Sequence, residues 1–314
     1  MKKRILLSGL GGSMFPYLHY QLAGKYDLFY VDCNDRLAYV YPDFNFFKAP
    51  KVIDKTYFPF IKEIIEKYNI DFYVPLIDEE IIDAKKLEGY NNVKTISPTI
   101  QFCSLCLNKY LLMKELQNHK LSFIESYTGD KFTYNSDNTY FVKPIVGRGS
   151  RGIRKINSQK QLDAYYILEG YKPNEVLIQE YVEGTEYSIG AAVNNLNQLL
   201  IVSIRKIAEK RGITQIATTE KNDLLFGIVE DVVNKLKPFG PINIQLFISP
   251  DNEAKIFEIN PRFSTTSIMN YAAGINEIDY IIQYLNKDCS SKQILQPKEN
   301  ITLYRRWESI FYET

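Results

Sequence analysis

Between Ile242 and Arg262 two runs rich in Ile and Phe flank the break Ser249-Pro250-Asp251-Asn252. Pro, Asp and Asn between apolar runs predict a tight turn, so the stretch reads as a β-hairpin. Side chains alternate along a strand. Glu258 and Asn260 therefore share one face, while Phe257 and Ile259 turn to the other, toward a core. Asn243, Gln245 and Phe247 share a face of the first strand. Closing the hairpin symmetrically about Asp251-Asn252 sets Phe247 against Ile256, Gln245 against Glu258 and Asn243 against Asn260. Opposed Cβ atoms lie about 5 Å apart. One side of the hairpin then carries a carboxylate and amides, with Arg262 just past Pro261.

Such a patch suits a hard cation. Mg²⁺ takes oxygen ligands, keeps several waters, and binds through one or two carboxylates plus substrate phosphates. A solvated sheet face would also carry a Glu and a Gln. The Pro261-Arg262 exit fixes the backbone and aims a guanidinium beside the patch, which favours a site where Mg²⁺ holds a polyphosphate.

The run Glu258-Ile259-Asn260-Pro261-Arg262, with Gln245 upstream, resembles the metal-binding strands of the ATP-grasp superfamily, in particular ligases similar to carbamoyl-phosphate synthase large chains. The resemblance implies that Glu258 bridges two Mg²⁺ ions, for which Mn²⁺ can substitute, and that Gln245 and Asn260 hold one each. It also implies that Arg262 contacts the transferred phosphate or the acyl phosphate. One copy of the unit is expected, where those large chains carry two.

Composition limits the alternatives. Of 314 residues, 45% are hydrophobic and 24% charged, with a net charge of +1. That balance is ordinary for a globular protein and shows no basic surface for nucleic acid or membrane. No run approaches the roughly 20 apolar residues of a membrane span. The start, Lys2-Lys3-Arg4 then Ile-Leu-Leu, stops at Gly9 and reads as a first strand entering a glycine turn rather than a signal peptide. Four Cys and two His give a metal cage little material. Cys103-Ser104-Leu105-Cys106 sits in an apolar helical run, where small buried side chains are the plainer reading than zinc or redox chemistry. A cytoplasmic protein without disulfides is expected.

From Met1 to about Ser97 strands and helices alternate: Arg4–Ser8, Leu28–Asp32, Phe72–Pro75 and Val93–Ile96 as strands, with helices over Met14–Ala23, Phe58–Tyr68 and Glu79–Leu87. Such a βαβ series predicts an open parallel, Rossmann-like sheet. The turn Gly9-Leu10-Gly11-Gly12 is not a dinucleotide fingerprint, because its third glycine would fall at Met14. Asp32 could hold a ribose only in a weak context. In the resembling ligases the leading domain helps shape the acceptor site. Asp78-Glu79-Glu80 falls where it faces the catalytic centre, although acids there could equally serve a helix N-terminus.

After the break at Ser97-Pro98, Thr99–His119 reads as one helix, with Lys109 following Asn108. The resemblance implies that Lys109 reaches the ATP phosphates. Tyr140–Pro144 is a strand carrying Lys143, and it runs into Gly147-Arg148-Gly149-Ser150-Arg151-Gly152. Backbone N–H groups of such a loop can turn to phosphate oxygens, and arginine adds charge. It lacks the Gly-Lys-Ser/Thr of a Walker A loop and could be a plain hairpin loop; it resembles the phosphate lid of ATP-grasp enzymes. That implies ATP contacts from Lys143, Arg148 and Ser150.

Leu177–Ser188 contains the turn Glu183-Gly184 and resembles the adenine-binding hinge, with Glu180 and the backbone near Tyr181 and Val182 at the base edge and Glu186 at the ribose. Leu199–Lys206 is a strand leading into Arg205, Lys206, Lys210 and Arg211, a stretch similar to the acceptor and phosphate path of the same ligases. A solvated charged loop would look alike. Asn222–Leu236 reads as a helix, and Ser264–Ala273 as another. The tail Arg305-Arg306-Trp307-Glu308 has no assignment.

The expectation is an α/β chain, α+β in its catalytic part. It has a leading Rossmann-like domain over 1–97, an ATP-grasp N-terminal lobe with linker helix and lid over 98–184, and a C-terminal lobe with the metal site over 185–314. The implied function is an ADP-forming carboxylate–amine ligase working through an acyl phosphate. Lys143, Arg205 and Arg262 are its catalytic cations, small-molecule carboxylate and amine its partners, and a homodimer its assembly to test. A grasp-fold kinase and a non-catalytic nucleotide-binding protein are the alternatives.

Overall fold

The structure, a computed structural model, describes all residues except 16, 148, 150, 287–292, 307, 308, 313 and 314. The leading part contains β1 (Arg4–Ser8), α1 (Tyr17–Leu22), β2 (Asp27–Asp32), α2 (Leu37–Val40), β3 (Asn45–Lys48), α3 (Tyr57–Lys67), β4 (Phe72–Val74), α4 (Ile81–Lys85) and β5 (Lys94–Thr95). Its strands form a parallel sheet in the order β3-β2-β1-β4-β5. Parallel strands are covered on both faces by their crossovers. Accordingly β1 reads Ile-Leu-Leu with every side chain buried. Ile5 and Leu7 pack toward α1, and Leu6 packs toward α3, which buries Ile61, Ile64 and Ile65. Burying each such side chain is worth roughly 1.5–3 kcal/mol. The strand β3 is a departure from the sequence expectation: at the sheet edge two half-covered phenylalanines between an exposed Asn45 and an exposed Lys48 carry too weak a pattern to announce themselves.

The expected single helix over Thr99–His119 is two: α5 (Ile100–Leu107) and α6 (Lys109–Asn118). Asn108 takes an extended backbone and its side chain accepts from the amide of Leu111, so it breaks one helix and caps the next. Cys103 and Cys106 are buried free thiols on α5. The next part holds β6 (Ser126–Thr128), β7 (Tyr140–Pro144), β8 (Arg154–Ile156), α7 (Gln159–Glu169) and β9 (Val176–Glu180). They make a four-stranded sheet β6-β9-β7-β8 with α7 packed on it.

Then come β10 (Thr185–Val193), β11 (Leu199–Arg211), β12 (Ile213–Glu220), α8 (Asp223–Leu236), β13 (Gly240–Ile248), β14 (Ala254–Asn260), α9 (Ile268–Ala272), α10 (Glu277–Leu285) and β15 (Thr302–Tyr304). A six-stranded sheet runs β14-β13-β10-β11-β12-β15. One face buries Ile189, Val202, Ile244 and Ile259 against Val229, Val232 and Val233 of α8 and Leu112 and Leu116 of α6. The three residues just before the unassigned tail form the edge strand β15 on β12, and Arg305 follows it. Trp307 and Glu308 lie outside the described residues.

Candidate active site

The hairpin β13–β14 sets the site. Its register opposes Asn243 to Asn260 and Gln245 to Glu258, as the symmetric closure predicts. Nearer the turn the register shifts: Leu246 opposes Ile256 and Phe247 opposes Lys255, so Phe247 does not face Ile256. The cause is a β-bulge at Phe257, which has no partner across the ladder. The bulge has two consequences. It turns the Phe257 ring out of the core and against Phe247, with centroids 5.0 Å apart. It also frees the Phe257 carbonyl, which accepts from the ammonium of Lys143 at 3.3 Å. The sequence reading put Phe257 in the core; it is a wall of the site instead.

Two cavities adjoin along Glu258. The larger, about 300 Å³, is lined by Lys109, Lys143, Lys210, Arg151, Glu180, Glu186 and Glu258 and by the apolar Ile124, Phe141, Ile153, Val182, Phe247 and Phe257. The smaller, about 110 Å³, is lined by Asn243, Gln245, Glu258, Asn260, Arg262, Thr214 and Thr265. Lys210, Gly149 and Gly212 also belong to both. The combined cleft is apolar at one end, cationic in the middle and rich in oxygen donors at the other.

Each cation is held differently. Lys109, at the start of α6, donates to the Gly147 carbonyl at 2.6 Å and stands 3.7 Å from Glu258. Lys143 lies at the end of β7, buried, with its ammonium 5.4 Å from the centre of the Phe257 ring. Among the described residues no carboxylate lies within ion-pair distance of it. Burial first, with Lys109 and Lys210 nearby, pulls its pKa down to about 8 despite Glu258. Lys210 pairs with Glu186 at 2.6 Å.

Arg262 takes the opposite course. Burial disfavours its charge, yet the Asp78 carboxylate, with Glu258 and Glu79 behind it, offsets that and its pKa is raised. Its Nε bonds Asp78 Oδ1, and its Nη2 reaches Asp78 Oδ2 at 3.2 Å.

Glycines serve the site at two places. At Gly184 a Cβ would stand 2.2 Å from the Ile248 carbonyl, so only glycine allows the hinge to cross the hairpin. In the glycine loop after β7, Gly149 and Gly152 hold φ of +67°, which L side chains rarely adopt. Arg148 and Ser150 lie outside the described residues.

Other expected residues separate into those that reach the cleft and those that do not. Glu180, Val182 and Glu186 line it. The amide of Tyr181 is taken by the Thr139 carbonyl at 2.9 Å, and its ring lies under Lys155 at 3.7 Å, so Tyr181 stands on the outer side of the hinge. Arg205 is a correction. It has no exposed surface, and its guanidinium donates to Thr266 and to Asn270, each at 3.0 Å, with Glu277 the carboxylate that favours its charge. Enclosed in this way it touches no molecule in the cleft; alternation along β11 turns it beneath the sheet, where Gly190 leaves room for it. Asp32 accepts from the amides of Gly11 and Asn34, so it fastens the glycine turn.

Sequence reading missed the Phe247–Phe257 pair, the Lys210–Glu186 pair and the clasp made by Arg305. That side chain donates to the carbonyls of Ser13, Thr214 and Thr265 at 2.5, 3.1 and 2.9 Å, joining the glycine turn to the rim of the smaller cavity. No local pattern announces a contact across 292 residues.

The residues present fit the groups such a cleft would take. Amide and carboxylate oxygens of Gln245, Glu258 and Asn260 suit a hard divalent ion. A buried Lys143, with no carboxylate at ion-pair distance among the described residues, lies between an apolar slot and that oxygen patch and suits a nucleotide's phosphates.

A cleft with that charge order, between an antiparallel four-stranded sheet and a six-stranded one, defines a nucleotide-gripping fold. The chain belongs to the ATP-grasp family: the ATP-grasp domain profile matches residues 106–266, just over half of it. The fold is an ATP-grasp fold preceded by a Rossmann-like parallel sheet. Among curated proteins it is 24% identical over 247 residues to the vancomycin B-type resistance protein VanB of Enterococcus faecalis, covering 67% of this chain and 70% of that protein. It is 28% identical over 158 residues to a D-alanine–D-alanine ligase of Flavobacterium johnsoniae, covering 43% of this chain and 48% of that ligase. Among solved structures, N5-carboxyaminoimidazole synthetase of Staphylococcus aureus complexed with ADP matches with a TM-score of 0.73 at 16% identity, covering 94% of this chain and 80% of that one. An L-amino acid ligase of Bacillus licheniformis matches with a TM-score of 0.70 at 15% identity, covering 90% and 73%. The described residues contain no helix long and apolar enough to cross a membrane.

Proposed function

We propose that this chain is an ATP-dependent, ADP-forming carboxylate–amine ligase that works through an acyl phosphate. The observation that carries the reading is the continuity of the cleft: Glu258 is common to the wall bearing Lys109 and Lys143 and to the wall bearing Gln245, Asn260 and Arg262. ATP laid along it places its base in the apolar slot by Phe141, Val182 and Phe257 and its phosphates over Lys143 and Lys109. Gln245, Glu258 and Asn260 would hold Mg²⁺, which neutralises phosphate charge and orients the terminal group when bound.

Arg262 faces the smaller cavity, where the transferred phosphoryl group and the acceptor carboxylate meet. Its fixed charge favours the charge that develops there. The lid residues close over the phosphates and exclude water, which protects an acyl phosphate from hydrolysis. The amine then attacks the acyl carbon and phosphate leaves; the protein supplies positions and charge and no covalent nucleophile. The names of the relatives, a D-alanine–D-alanine ligase and an L-amino acid ligase, support amino acids as the first substrates to try.

The test is a panel of D- and L-amino acids, singly and in pairs, with Mg-ATP, scored for phosphate release and for a condensed product by mass. A product formed with stoichiometric ADP supports ligation. A stable phosphorylated product without amine makes the chain a kinase, and Mg-ATP binding without any turnover makes it a nucleotide-binding protein.

A further inference from the structure

We propose that Asp78 of the leading sheet is a positioning residue for Arg262, so that the parallel sheet supplies part of the transfer site. This rests on the ligase reading above and deepens it. Arg262 follows Pro261 at the end of β14. An arginine side chain there has several rotatable bonds and the rotamer entropy that goes with them to lose. Asp78 removes that freedom by a two-point grip, one oxygen on Nε and the other on Nη2. The third nitrogen, Nη1, donates to the Phe263 carbonyl at 3.1 Å. A guanidinium carries five N–H groups. Among the described residues three are spoken for, which leaves one on each Nη in a group that lines the smaller cavity. Both partners are largely covered, the side chains being 17% and 9% exposed, so water screens the pair weakly.

Asp78 is itself anchored. It stands in the turn after β4, two residues before Glu80, which is fully buried. Glu80 accepts from the hydroxyls of Ser8, Tyr57 and Tyr73 and from the amides of Leu76 and Ile77, the last three at 2.6, 3.0 and 3.1 Å. Five donors on one carboxylate pin the turn to the carboxyl ends of β1 and β4. The chain of contact therefore runs from the core of the leading sheet through Glu80 and the turn to Asp78, and from Asp78 to Arg262. A carboxylate used merely to glue two lobes needs no such peg and no alignment of a cavity-lining guanidinium. Asp78 does not touch the reacting atoms; it acts through Arg262.

The test reads binding and needs no acceptor. The parent, Asp78→Asn, Arg262→Ala and the double variant are titrated by calorimetry with Mg-ADP alone and with Mg-ADP plus aluminium fluoride, a mimic of the phosphoryl group in transfer. Asp78→Asn should bind Mg-ADP within about twofold of the parent and lose about tenfold for the fluoride complex, because the charge-assisted grip on Arg262 is gone. Adding Asp78→Asn to Arg262→Ala should cost nothing more. Parent-like affinity of Asp78→Asn for the fluoride complex, or a double variant that loses the product of both fold-changes, would overturn the proposal. If the parent itself binds the fluoride complex no tighter than Mg-ADP, the transfer reading fails and the proposal with it. If Asp78→Asn does not fold, Arg262→Lys takes its place: it keeps the charge and cannot make the two-point contact. It too should lose about tenfold for the fluoride complex, and parent-like affinity would overturn the proposal.

Discussion

Lys143, buried in the middle of the cleft, and Arg262, largely covered at its oxygen-rich end, are left in opposite states by removal from water. Burial, helped by Lys109 and Lys210 and opposed by Glu258, takes the Lys143 pKa down to about 8; among the described residues its ammonium donates to a carbonyl and lies near an aromatic ring. Arg262 meets Asp78 at two points, and its pKa rises. The nearest carboxylate decides which outcome burial has. A cation left electrostatically unsatisfied gains when an anion arrives, which suits ground-state binding of a polyphosphate. A cation already satisfied and oriented adds little on binding and can be kept for the geometry of transfer. Interactions present in both states act on KM, and those made only in the transition state act on kcat.

The largest expected effect falls between the two, at Glu258, which is shared by both cavities. Glu258→Gln should lower turnover about 10³-fold or more while the melting temperature stays near that of the parent. Near-parental turnover at saturating Mg²⁺ would remove the metal assignment. Next comes Arg262→Ala, with a fall in kcat of about 10²-fold and Mg-ATP affinity close to the parent's. Lost ATP binding with kcat held at saturation would reverse the roles of the two cations.

Lys143→Ala should raise the KM for ATP about tenfold with a smaller change in kcat. The same residue carries a pH test. Its cation is present below about 8 and is lost as pH rises through that value. Affinity of the free protein for Mg-ATP should therefore be fully present below pH 8 and weaken above it, and the slope should vanish in Lys143→Ala. A slope that survives the substitution points to another group. The smallest effect is in the lid: trypsin should cut after Arg151 more slowly with Mg-ATP present, since phosphates order a glycine loop. Equal cutting in both conditions makes the segment an ordinary surface loop.

The hairpin register at Gln245/Glu258 and Asn243/Asn260 was legible because strand alternation and a strong turn signal both act locally. Its failure one step nearer the turn has an equally local cause, a bulge at Phe257 that no residue type marks. The parallel sheet was legible from its βαβ rhythm, apart from the short edge strand Asn45–Lys48. Asn108 was visible as a residue and misread as helix interior, although Asn is a good cap. What could not be read are the long connections. Asp78 meets Arg262 across 184 positions, and Arg305 meets Ser13 across 292. Arg205 misled for a related reason: a cation in a basic run reads as functional until the sheet shows which way it faces.

Transfer of phosphate from ATP to a carboxylate leaves an isotopic record. The amino acid that yields product in the panel is labelled with oxygen-18 in its carboxyl group, turned over with Mg-ATP and amine, and the released phosphate is weighed. An acyl phosphate predicts one labelled oxygen in each phosphate, with ADP as the nucleotide product. Condensed product accompanied by unlabelled phosphate, or by AMP and pyrophosphate, would contradict it.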